Sequence, residues 1–434
     1  MGALGAASKT SGSEVRRIGS EIAPPSASNR LPQFKRIVPD RSTASDAYVS
    51  WRRCPVCAGE RHRPVLDYRN FQFYTDAEVS KQATIREVQC LDCFAVFMNP
   101  VFNTLGFATL LAEAGGSYGS TPGRYGEQTA WLLEQGLLKP QTTLLDIGCF
   151  DGTFVSKLPE GIRGIGVDID RQAIRRAQSA FGASGTRRFI CADFEAVEVD
   201  EAIDVITMFH VFEHLPRPVE VLKRLAHLAT AETRLVIEVP VFEHVDYGDI
   251  CGFLSVLHLT HFSTSSLRNV LRAGGWELVG SHKMPGYNGL RIVAALASHP
   301  DNVAPEQDDL GLLWHYMSRW YGAVAEVEMR LKRVTAPYCV IRGVGAHTEY
   351  LFQLTSLFAG ERSFLLVEAD KTKQGKFWRG IPIVGPDHLP RLDWGNTQMV
   401  LSSYSHHDAM GREARAMGVP EAAIVALYDK IHRC

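Results

Sequence analysis

The chain has 434 residues, enough for about three domains, and a formal charge of −2. So nearly neutral a balance argues against a phosphate-backbone partner, which calls for a strong basic bias, and no apolar run reaches the eighteen or so residues of a membrane span. Nine cysteines fall into two close pairs and five scattered ones, a pattern that suits metal binding in a reducing, cytoplasmic compartment better than a disulfide framework.

Residues 1–47 are rich in Ser, Ala, Gly, Pro and Arg and lack the apolar core of a secretory signal, so a disordered tail is expected. Residues 48–125 open with WRRCPVC, Trp51 to Cys57, and continue to CLDC, Cys90 to Cys93. Two Cys-x-x-Cys knuckles about thirty residues apart fit four thiolates around one tetrahedral zinc, with Cys54, Cys57, Cys90 and Cys93 as ligands. A closed four-sulfur set keeps no position open for water, so the zinc is expected to be structural. Arg52, Arg53, Arg61 and Arg63 leave two readings, a nucleic-acid face or a solvated one. Asn99 to Tyr125 is glycine-rich and is expected to arch over a substrate opening, with Tyr118 and Tyr125 as candidates.

Residues 126–300 have the pattern of a parallel α/β sheet. Leu144, Leu145 and Ile147 form an apolar run, with Asp146 near its end, that reads as a buried strand. Gly148 and Gly152 then flank a turn into a helix at Thr153 to Leu158, and open α/β sheets bind ligands at such a turn. RGIGVDID ends a second strand at Asp168, about 20 residues on, the spacing at which an acid meets ribose hydroxyls in dinucleotide folds. FICADF is a third strand ending at Asp193 and Phe194, an acid beside an aromatic that suit an adenine amino group and ring. IDVITMF is a fourth, running into His210, Val211, Phe212, Glu213 and His214. An acid and an imidazole there could orient substrate or move a proton, or could simply begin a helix. A fifth strand, Arg234 to Pro240, leads to FLSVLHLTHF, where His258 is read as a candidate general base and His261 as its helper. A helix from Ser265 to Ala273 and strands at Trp276 to Val279 and Gly289 to Ala297 complete the unit.

Residues 301–335 carry a connecting helix, with Leu313, Tyr316, Met317, Trp320, Tyr321 and Val324 at helical spacing. Residues 336–434 restart an α/β pattern: a strand from Tyr338 to Val344, a turn through Gly345, Ala346, His347 and Thr348, a helix, and a second strand ending in Glu368 and Asp370. That arrangement can receive nucleotide phosphates and ribose, or can be a small lobe with no ligand.

Together DIGCFDG, GVDID, CADF and DVITMFHVFEHLPRP resemble the motif series of class I S-adenosylmethionine-dependent methyltransferases, over Gln128 to Ser298. The resemblance implies a Rossmann-like core between an N-terminal zinc ribbon and a smaller Rossmann-like lobe. It also implies that Asp146, Gly148 and Gly152 lie along the methionine end of the cofactor, Asp168 on the ribose, Asp193 and Phe194 at the adenine, and His210 beside the sulfonium. An NAD site would show G-x-G-x-x-G, which the loop lacks.

The order ribbon, core and α/β lobe, with DKTKQGKFWRGIPIVGP in the last, is similar to the C-methyltransferases of nucleotide-linked deoxysugars. That family implies a nucleotide-sugar substrate, here expected on Gly345, His347, Thr348 and Asp370. Its Tyr-x-Glu-His motif aligns with Ser255, Leu257 and His258, so only the histidine base is kept. Expected, then, is a sugar methyltransferase whose catalytic set is drawn from His258, His261, Tyr118, Glu213 and His214. The alternatives are an O- or N-methyltransferase of another small metabolite, or a non-catalytic zinc-ribbon protein on the same scaffold. The expected partner is a small molecule, not nucleic acid or membrane; oligomeric state stays open.

Overall fold

The computed structural model describes residues 33–36, 46–72, 81–113, 124–182, 185–245, 248–284, 287–298 and 308–429. Its central sheet has seven strands: β1 (Thr143–Ile147), β2 (Arg163–Asp168), β3 (Arg187–Cys191), β4 (Val205–Phe209), β5 (Arg234–Pro240), β6 (Trp276–Lys283) and β7 (Gly289–Leu296). Across the sheet they run β6-β7-β5-β4-β1-β2-β3. Strands β1 to β5 are parallel, and most are covered on both faces, which is why they read as apolar runs rather than alternating ones. Strand β7 fits antiparallel between β5 and β6. The strand order reverses between β1 and β4, and at such a switch point the loops after the strands part and leave a crevice.

The cysteine segment holds more regular structure than its knuckles announce. His62–Gln72, Gln82–Cys90 and Val96–Met98 form an antiparallel sheet, and Thr260–His261 joins its edge. That last strand comes from the segment after β5, so the ribbon is stitched to the core by main-chain pairing, Thr260 opposite Phe97 and His261 opposite Val96. The Arg52 guanidinium donates to the carbonyls of Pro216 at 2.5 Å and Leu259 at 2.6 Å. Arg53 pairs with Glu60, Arg61 with Asp92, and Arg63 bonds Gln89 at 2.6 Å. Arg52 and Arg63 thus bond within the fold, while Arg53 and Arg61 pair with acids at the surface.

Two segments expected to be flexible show local structure among the described residues. Within the tail, Lys35 pairs antiparallel with Phe364, its N–H donating at 2.9 Å, because that strand has an open edge there. Within the proposed lid, Thr104–Glu113 is helical, and Tyr125 lies in the first turn of the helix Arg124–Glu134. Tyr118 lies outside the described residues.

The C-terminal lobe is a second open sheet. Its parallel strands Tyr338–Arg342, Ser363–Val367, Ile381–Val384, Thr397–Leu401 and Ile424–Val425 are closed at one edge by antiparallel Phe377–Trp378. The helix Asp308–Leu331 joins the lobes. Tyr316 accepts from Phe253 N–H at 2.7 Å and Trp320 donates to Ile250 at 3.1 Å, while Tyr321, expected on the packed face, is 53% exposed. One apolar cluster runs from Tyr68 and Phe71 of the ribbon through Phe253 and Trp320 to Tyr350 and Phe364 of the lobe. No helix among the described residues is long and apolar enough to cross a membrane.

Candidate active site

The loop between β1 and the following turn of helix, Thr153–Ser156, needs backbone that most side chains resist. Gly148 and Gly152 have φ of 77° and 76°, and Phe150 has 49°. A Cβ on Gly148 would stand 2.3 Å from Val211, and one on Gly152 would stand 2.5 Å from Phe189. The loop is therefore seated directly on the turn after β4 that carries His210.

Asp168 closes this loop. Its carboxylate accepts from Phe150 N–H and Asp170 N–H, each at 2.8 Å, and every oxygen keeps a lone pair for a ligand hydroxyl. Burial pushes its pKa up despite those bonds. Asp146 is more enclosed, with Thr207 donating to it at 2.7 Å, and burial pushes it up to about 7. At the end of β3, Asp193 is exposed and caps the turn that begins at Phe194, accepting from Glu195 N–H at 3.0 Å; Phe194 is half-buried.

A cleft opens over the loop, bounded by Tyr125, Asp146, Gly148, Phe150 and His210. His210 stands at its wall with φ of 55°. Its Nε2 lies 3.0 Å from Glu238 Oε1 and in contact with Tyr287 Oη, and its Nδ1 lies 3.4 Å from Glu213 Oε1. Burial alone would lower the imidazolium pKa; contacts with Glu213 and Glu238 reverse this and leave it raised. Both acids are held down to about 2, burial's upward push being outweighed chiefly by His210. Arg291, fully buried, bonds Glu238 at 2.7 Å and Glu127 at 2.8 Å, fixing the acid that orients His210.

Beyond Glu213 the polar array continues. The His214 ring lies 5.1 Å from that of His258, and His214 Nδ1 donates to the Leu257 carbonyl at 2.7 Å. Burial, with His214 adding to it, pushes His258 down to about 3. Glu213, His214 and His258 thus come together. His261 does not join them: it is 1% exposed and its Nε2 pairs with Glu87 of the ribbon at 2.9 Å, so it fastens two sheets rather than facing a substrate.

The C-terminal lobe redistributes the expected substrate residues. His347 is buried between Ser402 at 3.1 Å and Tyr428 at 2.7 Å, and Thr348 donates to the Gly343 carbonyl at 2.8 Å. Asp370 only caps its own turn through Thr372. Glu368 is the acid that closes the glycine turn, accepting from Val344 N–H at 2.8 Å. Gly343, with φ of 97°, is the glycine whose backbone the turn requires, while Gly345 at φ −154° sits in open space at the head of the helix Ala346–Leu354.

In the ribbon, the sulfurs of Cys54 and Cys93 are 3.6 Å apart, as are those of Cys57 and Cys90, and all four lie within 4.8 Å of one another. A tetrahedron of Zn–S bonds of about 2.3 Å has edges of about 3.8 Å, so the four thiols fit a zinc ion.

Glu238, Tyr287 and Arg291 are not singled out by sequence reading, and of the paired acids Glu368 and Asp370 the substrate is assigned there to Asp370. Glu238 had a signal, being the one acid inside the apolar run Leu235 to Pro240. Tyr287 had none, because only folding brings it across the sheet.

Comparison with known proteins agrees with the geometry. Residues 121–281 match a family model described as "Methyltransferase domain". No curated protein matches the chain. The chain is similar to an S-adenosylmethionine-dependent methyltransferase from Clostridium acetobutylicum ATCC 824, at 10% identity over 45% of this chain and 100% of that one, TM-score 0.35. It is also similar to magnesium protoporphyrin IX methyltransferase from Synechocystis PCC 6803, at 18% identity over 40% and 78% of the two chains, TM-score 0.31. A third is N-methyltransferase NodS from Bradyrhizobium japonicum WM9 with S-adenosylhomocysteine, at 16% identity over 44% and 97%, TM-score 0.35. Residues 121–281 therefore carry a methyltransferase domain, built on the sheet whose strand order reverses between β1 and β4.

Proposed function

We propose that this chain methylates a sugar carried on a nucleoside diphosphate, with S-adenosylmethionine in the β1–β4 crevice and the nucleotide on the C-terminal lobe. The supporting observation is that two glycine turns in one chain are each closed by an acid bonded to a loop N–H, Asp168 on Phe150 and Glu368 on Val344. Gly148, Gly152 and Asp146 take the methionine end, Asp168 the ribose, and Asp193 and Phe194 the adenine. The four ribbon cysteines hold a structural zinc.

Methyl transfer is an in-line displacement in which the acceptor attacks the sulfonium methyl and S-adenosylhomocysteine leaves, so the protein contributes alignment and a way out for the acceptor's proton. His210 serves the alignment: it lines the cleft with Nε2 held by Glu238 and Nδ1 facing Glu213, a cationic ring that positions the acceptor while the proton leaves to solvent water. The resemblance assigned the base to His258, but this residue stands beyond Glu213 and does not line the cleft. Ser255 and Leu257 replace the tyrosine and glutamate of the carbon-methylating motif, which favours an oxygen acceptor.

The test is incubation with methyl-labelled S-adenosylmethionine and a panel of TDP-, UDP- and GDP-sugars. Label should enter one nucleotide class. Label entering only nucleotide-free metabolites would remove the nucleotide, and cofactor binding without transfer to any acceptor would favour the scaffold reading.

A further inference from the structure

Glu213 and His214 are neighbours in the single turn Phe212–His214, and His258 comes from the segment that crosses this turn after β5. One donor atom from each of the three lies within 4.8 Å of the others. Their setting has features that an ordinary polar contact does not explain.

Glu213 is 2% exposed, yet neither carboxylate oxygen accepts a hydrogen bond. His210 Nδ1 at 3.4 Å and His214 Nε2 at 3.9 Å both face Oε1, so the nearest partners of the carboxylate are imidazoles at ion-pair distance. A buried carboxylate with empty acceptor sites is costly unless a cation occupies them. His214 supplies the second feature. Because its Nδ1–H donates to the Leu257 carbonyl, its lone pair is on Nε2, and metal-ligating histidines are oriented by just such a bond from their other nitrogen. The same loop donates Leu259 N–H to the Glu213 carbonyl at 2.8 Å, so the turn and the loop that bear the three donors are held together before any ion arrives.

We propose that Glu213, His214 and His258 form a second metal site, for a divalent transition-metal ion. Two imidazoles and one carboxylate suit zinc, cobalt or iron(II), and three protein ligands keep positions open for water or an acceptor oxygen. The ribbon's four sulfurs make a closed site; this one is open, and both histidines are partly exposed. The ion takes the lone pair of His258, which makes that residue a ligand rather than a base. An acceptor hydroxyl bound to the ion would be acidified and lose its proton to solvent water. The site rests on the three donors alone, whichever acceptor is methylated.

The test is metal content of the full chain, purified with excess Co2+ and passed through metal-free buffer, read by mass spectrometry and visible absorption. Two equivalents are expected, one with thiolate-to-cobalt charge transfer and one with the weaker bands of nitrogen and oxygen ligands alone. His258→Asn and Glu213→Gln should each lose the second equivalent, its affinity falling about 100-fold or more. The charge-transfer band should persist, and S-adenosylhomocysteine should still bind His258→Asn, which shows that the variant is folded. A wild-type chain holding one equivalent, with charge transfer only, overturns the proposal. So does a second equivalent that survives both substitutions.

Discussion

The two open sheets of this chain use the same local grammar to different ends. Each has a strand, a glycine turn, a helix and a second strand ending in acids. In the central domain polar groups at the switch point line a cleft: Asp146 and His210 stand in its wall, and Asp168 holds the loop behind it through Phe150 N–H. In the C-terminal lobe His347, Thr348 and Ser402 bond to one another, to the Gly343 carbonyl and to Tyr428, and so are spent inside the fold. Among the described residues its turn keeps backbone groups, Glu368, and Lys373, which donates to the Val344 carbonyl at 2.7 Å. The lesson is that a glycine turn marks where a ligand can approach, while the fate of nearby side chains decides what recognition is left. In the core that is side-chain chemistry; in the lobe it is backbone chemistry.

The largest expected effect is on catalysis. His210→Gln should lower kcat by about 100-fold with S-adenosylhomocysteine affinity little changed, the size of a lost positioning group, as read by steady-state turnover and titration. Next is the loop itself. Gly152→Ala places a Cβ 2.5 Å from Phe189 at a φ of 76°, so it should cost about 2–4 kcal/mol in denaturant unfolding and abolish cofactor binding. Gly345→Ala, with nothing within 4 Å of its Cβ, sharpens the contrast: unfolding should shift by less than about 0.5 kcal/mol, and only nucleotide binding should suffer. A large stability loss at Gly345 would break the comparison.

Asp146 gives a pH dependence. Its folded pKa of about 7 lies above the ordinary carboxyl value, so the native state holds the extra proton, and this group's contribution to stability falls as pH rises from about 4 toward 7. Binding a cationic cofactor favours the ionised form. Affinity for S-adenosylmethionine should therefore rise with pH and level off above about 7, with protons released on binding below it, measurable by calorimetry in buffers of different ionisation enthalpy. Asp146→Asn should flatten the curve. The smallest effect is at Asp370, exposed and with its carboxylate bonding Thr372 of its own turn, where Asn should change stability by less than about 0.5 kcal/mol and leave nucleotide affinity intact, in contrast to Glu368→Gln.

What the sequence made legible was local. Gly148, Gly152 and Asp168 could be read because a buried strand, a turn and the next strand's final acid lie within one short stretch, and the cysteine knuckles because each pair shares a turn. What stayed hidden was made by long-range pairing. Thr260–His261 became an edge strand of the ribbon by meeting residues from Val96–Met98, so His261 left the active site for Glu87. His210 found Glu238 and Tyr287 across the sheet, and Arg291 found Glu127 on the helix Arg124–Glu134, which is not among the elements expected from the sequence. Asp370 and Glu368 differ by two positions, and the reach of one side chain to Val344 N–H decided between them.

The most direct test of a cofactor core joined to a nucleotide lobe is titration of the zinc-loaded chain with S-adenosylhomocysteine and then with TDP, UDP or GDP, in wild type and in Asp168→Asn. The account predicts that wild type binds both ligands and that Asp168→Asn weakens S-adenosylhomocysteine about 10- to 100-fold, the loss of a charge-assisted hydrogen bond, with nucleotide affinity unchanged. Failure of every nucleotide to bind, or a parallel loss of both ligands in Asp168→Asn, would contradict it.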